Sequence, residues 1–140
     1  MRSDQILHSI ARIRERINSF LQREYDSYGL ADISPAHAGV LFAIGKDNPS
    51  MQDLAQKLER DNSTITALVA KLQHIGYVKK VRNTEDGRIW HVSLTSKGQE
   101  ARKKTISISR RMLVQAYGGF SADEVQILSE LLDKLYKNFE

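Results

Sequence analysis

The chain has 140 residues, 41% of them hydrophobic and 27% charged, a balance that excludes an intrinsically disordered protein and fits one domain with a real core. Its formal net charge of +4 is compatible with a polyanionic partner and equally with a merely soluble surface. There is no cysteine, which excludes disulfides, thiolate metal sites and a cysteine redox switch, and no apolar run approaches the roughly 20 residues that span a bilayer. Met1-Arg2-Ser3-Asp4 is polar and leads into an amphipathic stretch rather than a signal-peptide core, so a soluble cytoplasmic protein is expected, with no membrane partner.

The first segment places Ile6, Ile10, Ile13, Ile17 and Phe20 at alternating steps of four and three, a heptad-like stripe on one helix face. Such a helix needs partner helices, and periodicity alone fits packing within the chain as well as packing against a second copy. Tyr28-Gly29-Leu30 is expected to end it, because glycine takes up the left-handed conformation that closes a helix. Ser34-Pro35 starts the next helix, with Val40, Leu41 and Ile44 as core and Gly39 read as a point of close packing. Gly45 to Ser50 breaks the chain, aided by Asn48-Pro49.

Met51, Leu54, Ala55 and Leu58 recur at i, i+3, i+4 and i+7 and predict a third helix. A turn at Glu59-Arg60-Asp61 leads to a fourth, whose inward face is Ile65, Leu68, Val69 and Leu72 and whose stop is Gly76. Two extended runs follow, 77–82 and 88–94, with Trp90, Val92 and Leu94 alternating and Asp86-Gly87 supplying the turn. Thr95-Ser96 caps a long helix to about Tyr117, Gly118-Gly119 breaks it, and Ser121 with Glu124 forms a capping box for the last helix. Val125, Leu128, Leu131, Leu132, Leu135 and Phe139 make a broad apolar stripe there. The order is α-α-α-α-β-β-α-α: mainly α with a small β-hairpin, a winged helix-turn-helix.

On the fourth helix the outward face carries Ser63, Thr66, Ala67, Ala70 and His74, flanked by Thr64 and Lys71. Short polar side chains let a backbone lie close to a groove floor, and their hydroxyls can bond base edges or phosphates. A plain solvated face is the alternative for the helix alone. Lys79, Lys80, Arg82 and Arg88 place four cations on the ribbon, suited to a phosphate backbone or a minor groove. Asp86, two residues before Arg88, can orient its guanidinium. A solvated hairpin is the alternative here, and the combination of helix pair, hairpin and charges is more specific than any part.

These residues carry a resemblance to the multiple-antibiotic-resistance regulator (MarR) family. Leu54-Ala55-Gln56-Lys57-Leu58 matches its leucine-alanine helix, and Asp61-Asn62-Ser63-Thr64-Ile65-Thr66 its recognition helix. Asp86-Gly87-Arg88 matches the Asp-x-Arg wing, and Val92-Ser93-Leu94-Thr95-Ser96-Lys97-Gly98 the run that closes it. The resemblance implies a single 1–140 domain, with a winged helix-turn-helix core at 34–95 and dimerisation helices at 1–30 and 96–140. It implies a homodimeric transcription regulator, a repressor in most members, reading a pseudo-palindromic site in double-stranded DNA. The DNA-binding residues would be Asn62, Ser63, Thr64, Thr66, Lys71, His74, Arg82, Asp86 and Arg88. The dimer interface would be Ile6, Ile10, Ile13 and Ile17 with Val125, Leu128, Leu132 and Leu135. Many members release DNA on binding a small aromatic or phenolic effector. Tyr25, Tyr28, Phe42 and Trp90 lie near such a junction, but aromatics there usually fill core, with Trp90 packing the wing onto the body, and none is assigned to a ligand.

No cofactor is expected. His8, His37, His74 and His91 are scattered without ligand spacing, so no metal is expected either. No nucleophile elbow or phosphate-binding glycine loop appears, so the chain is not read as an enzyme. A winged-helix protein-interaction module is the competing class, disfavoured because the outward face of the fourth helix lacks Asp and Glu beyond its first turn.

Overall fold

A computed structural model describes residues 2–140. Six helices and one hairpin follow in the order α1 (Ser3–Ser27), α2 (Pro35–Ile44), α3 (Met51–Lys57), α4 (Asn62–His74), β1 (Val78–Arg82), β2 (Trp90–Leu94), α5 (Ser96–Ala116) and α6 (Ala122–Lys137). The architecture is that of a winged helix-turn-helix.

Local chemistry sets the helix ends. α1 stops before Gly29, at φ +77, and α4 before Gly76, at φ +88, where the left-handed backbone favours glycine. Pro35 opens α2 at the position where a missing N–H loses nothing. Ser121 and Glu124 form the expected capping box: the Glu124 N–H donates to Ser121 Oγ at 3.1 Å, and the Ser121 N–H to Glu124 Oε1 at 2.9 Å. Ser50 and Asp53 cap α3 in the same way. The turn between α3 and α4 passes through Glu59 in the left-handed region, at φ +52.

Three elements differ from the sequence reading. The expected strands leave 83–87 as the tip, with Asp86-Gly87 supplying its turn; in the structure Arg82 pairs with Trp90, and the tip is the seven residues 83–89. Gly87 is not among the positive-φ glycines; side-chain bonds from Asn83 and Asp86 organise the tip instead. Consequently the strands are shorter than 77–82 and 88–94. Gly39 is not a close-packing point either, since a Cβ there would meet open space.

The core joins the apolar faces of α2, α3, α4, the wing base and α5. Val40, Leu41, Ile44, Leu54, Ile65, Val69, Leu72, Val92 and Ile108 are all but fully buried. α1 joins through Leu21 and Tyr25, and its Glu24 receives Arg111 of α5 at 2.9 Å. Gly98 has the tightest environment of any glycine. A Cβ there would overlap the Tyr77 carbonyl, which is pinned because it accepts the Thr95 N–H at 3.1 Å. Gly98→Ala should therefore destabilise the fold by roughly 1–3 kcal/mol, read as a lower midpoint in urea unfolding. A midpoint equal to that of the parent chain would show that this contact gives way freely.

α6 is different. It buries none of its residues within the chain. Ile127, Leu128, Leu131, Leu132 and Tyr136 stand exposed along it and Phe139 just past its end, with Val125 and Leu135 half-buried, and Ile6, Leu7, Ile10 and Ile13 are exposed along α1. Ile17 packs against the chain's own core instead. An apolar area of this extent marks a contact surface.

Candidate nucleic-acid interface

The outward face of α4 is as the helical spacing predicts. Asn62, Ser63, Thr66, Ala67, Ala70, Lys71 and His74 are exposed and Thr64 is half-buried, while Ile65, Val69 and Leu72 face the core. Asp61 caps the helix by accepting the Thr64 N–H at 2.7 Å and the Ser63 hydroxyl at 2.9 Å. Thr66 donates its hydroxyl back to the Asn62 carbonyl at 2.7 Å, leaving its oxygen as an acceptor. The far end of α4 is held by the start of α5. Thr95 Oγ1 donates to the Gly76 carbonyl at 2.6 Å, and Lys97 Nζ to the Ile75 carbonyl at 2.7 Å. The helix is thus fixed at both ends while its outer face stays open.

At the wing tip Asp86 and Arg88 form the expected pair. Arg88 reaches the Asp86 carboxylate with Nε at 3.1 Å and Nη2 at 3.1 Å, and its backbone N–H donates to the same group at 3.0 Å. Arg88 remains 91% exposed, so the guanidinium is oriented without being hidden. Its hydrogen bonds, side chain first and then backbone, hold the Asp86 carboxyl below the ordinary aspartate range. Bonds from the Thr64 side chain and backbone, then Ser63, do the same for Asp61. Both carboxylates are therefore in place above the ordinary aspartate pKa, and their contribution is lost only as the pH falls through the lowered values.

Arg82 is exposed, as expected of a ribbon cation, and has a partner within the wing. It stacks on Trp90 at 4.8 Å, and Lys80 lies over the same ring at 5.8 Å. The register places all three on one face of the hairpin, so two of the four ribbon cations are bound up with an indole. Trp90 is half-buried and lines the open cleft between wing and helix body. That cleft, about 400 Å³, brings Asn62 and Thr66 of α4 together with Arg88, Ile89 and Trp90 of the wing and Ser50, Met51 and Gln52 of α3.

The sequence reading missed two participants. Gln52 of α3 and Ser50, which caps that helix, enter the cleft, and the Ser-x-x-Asp spacing at Ser50 is a visible signal. His37 sits at the N-terminal turn of α2, with its Nδ1 accepting the Ser34 N–H at 3.1 Å. Burial, and then the charge of Lys71, hold its pKa below the ordinary histidine value. Of the aromatics near the junction, Tyr25 is core, Tyr28 half-buried, and Phe42 exposed beneath Arg102 at 5.2 Å. Among the described residues no His, Asp or Glu group is arranged to hold a metal ion, and no helix is long and apolar enough to cross a membrane.

Comparison with known proteins agrees with this fold. The sequence model of the MarR family matches residues 31–89. The HTH-type transcriptional regulator SarZ of Staphylococcus saprophyticus is 30% identical over 122 residues, which cover 84% of this chain and 82% of SarZ. The structure of Streptococcus pneumoniae FabT in complex with DNA matches with a TM-score of 0.79 at 23% identity, covering 99% of this chain and 97% of FabT. The PcaV transcriptional regulator of Streptomyces coelicolor, in complex with its natural ligand, matches with a TM-score of 0.81 at 21% identity, covering 95% and 92%. At these identities the two solved structures speak for the fold, and SarZ for the family.

Proposed function

The chain belongs to the MarR family of transcriptional regulators, and from that membership we propose that it is a sequence-specific repressor that binds a pseudo-palindromic operator as a homodimer. The single observation that carries the docking is the shared cleft, where the small polar face of α4 and the Asp86-held Arg88 open in one direction. α4 enters the major groove, where Asn62, Ser63, Thr64 and Thr66 meet base edges and phosphates, and Lys71 and His74 meet the backbone. The wing lies along the adjacent minor groove, where a narrow A·T tract favours Arg88.

The uncovered apolar faces support the dimer. No residue of α6 is buried within its own chain, Val125 and Leu135 being half-buried, and Ile6, Ile10 and Ile13 of α1 are exposed as well. A second copy supplies the missing surface for both, with Val125, Leu128, Leu132 and Leu135 among the buried set. Two α4 helices then meet successive major grooves. Release by a small aromatic or phenolic molecule completes the reading. The PcaV structure, with its natural ligand, supports a small-molecule effector. The protein works in the cytoplasm and carries no catalytic activity.

Selection of bound sequences from a random duplex pool tests the proposal. The expected product is an inverted repeat with half-sites about one helical turn apart, bound with an affinity that falls steeply with salt as counterions are released. A pool with no enrichment would turn the assignment toward a protein partner.

A further inference from the structure

The wing tip is tied to the body of the protein by a line of hydrogen bonds that runs through one histidine. The His91 ring, on β2, places Nδ1 3.0 Å from the Asn48 carbonyl and Nε2 3.0 Å from Nδ2 of Asn83. A carbonyl only accepts, so Nδ1 carries the proton. Asn83 Oδ1 already accepts the N–H groups of Glu85 and Asp86, at 2.8 and 3.0 Å, so the Asn83 NH2 faces the ring and Nε2 accepts from it. A single neutral tautomer of His91 satisfies both neighbours.

Each end of this line is firm. Asn48 lies in the left-handed region at φ +47, and the carbonyl of the next residue, Pro49, accepts the Val92 N–H at 2.9 Å. Ser50 forms a β-bridge to His91 itself. At the far end the Asp86 backbone held by Asn83 belongs to the residue whose carboxylate grips Arg88. We infer that His91 is a positioning residue for DNA recognition: through Asn83 and Asp86 it sets where the Arg88 guanidinium stands relative to α4. The inference rests on the proposed role of the wing in DNA binding. A free seven-residue tip would lose backbone and rotamer freedom on meeting a groove, and a tip already anchored loses less.

The test uses His91→Phe, Asn83→Ala and Arg88→Ala in the full-length protein, singly and with Arg88→Ala combined with each of the others. Binding is measured to the duplex recovered by random-pool selection. His91→Phe and Asn83→Ala should each weaken binding about fivefold to tenfold in the parent background, as loss of one or two hydrogen bonds implies. In the Arg88→Ala background each should change it by less than about twofold, because the group they position is gone. Amide exchange at Glu85 and Asp86, measured without DNA, should accelerate in His91→Phe. Equal losses in both backgrounds, or unchanged exchange, would overturn the inference while leaving the role of the wing standing. An Arg88→Ala protein with parental affinity would overturn both. Should His91→Phe fail to fold, Asn83→Ala, which alters a tip residue outside the core, decides by the same criteria.

Discussion

Replacing Thr66 by glutamate should remove specific DNA binding without disturbing the fold. Thr66 is exposed on the outward face of α4, and its one hydrogen bond runs back to the Asn62 carbonyl of its own helix. Glutamate is a good helix former, so α4 keeps its geometry. The added carboxylate, though, points into the cleft shared with Arg88. In the proposed complex it would meet electronegative base edges and phosphate, and any pairing with Arg88 would take that cation away from the DNA. Like charges brought together at an interface cost several kcal/mol, so affinity should fall at least about 100-fold. The check is a titration of the selected operator duplex alongside a thermal melt. Parental affinity with an unchanged melt would mean that α4 does not face the groove.

The pair Leu128→Glu and Leu132→Glu should convert the protein to a monomer in solution. Both leucines are exposed on α6, 37% and 43%, and that helix buries nothing within its chain. If a second copy covers them, each introduced carboxylate must be desolvated without a partner, which costs several kcal/mol per charge. The monomer has no such cost, because the same positions face water. Light scattering should therefore show the parent at twice the variant's mass, and operator affinity should drop by about 10²–10⁴ as the two half-sites cease to be bound together. A monomeric parent, or a variant that stays dimeric, would place the partner surface elsewhere.

Much of this architecture was legible residue by residue. Period-3.6 runs at Met51 to Leu58 and Ile65 to Leu72 announced the two helices of the motif, and Gly29, Gly76, Ser34-Pro35 and the Ser121–Glu124 box marked their neighbours' limits correctly. The outward residues of α4 could be named before any coordinate was known, because a helix with one apolar face leaves no choice about the other. The Asp86–Arg88 pair was equally visible, since two residues so close along the chain share a turn.

The wing tip was not. Asp86-Gly87 has the composition of a two-residue turn, but Asn83 reaches forward to the Glu85 and Asp86 amides and sideways to His91, and a seven-residue tip results. His91 in turn depends on Asn48, 43 positions away. Arg82 reads as a free cation until β1 and β2 pair and set it on Trp90. Gly98 reads as a helix residue of low propensity until Tyr77 packs against it.

The sequence by itself determined the element order, the helix caps and the face of α4 that meets solvent. Each of those depends on groups within about one or two helical turns of each other along the chain. Only the tertiary structure decided the shape of the wing tip, the stacking of Arg82, the anchoring of α5 through Arg102 on the Phe42 carbonyl and Arg111 on Glu24, and the bareness of α6. These depend on which distant groups the core brings within hydrogen-bonding or van der Waals reach, and that is settled by packing of the whole chain rather than by any local run of residues.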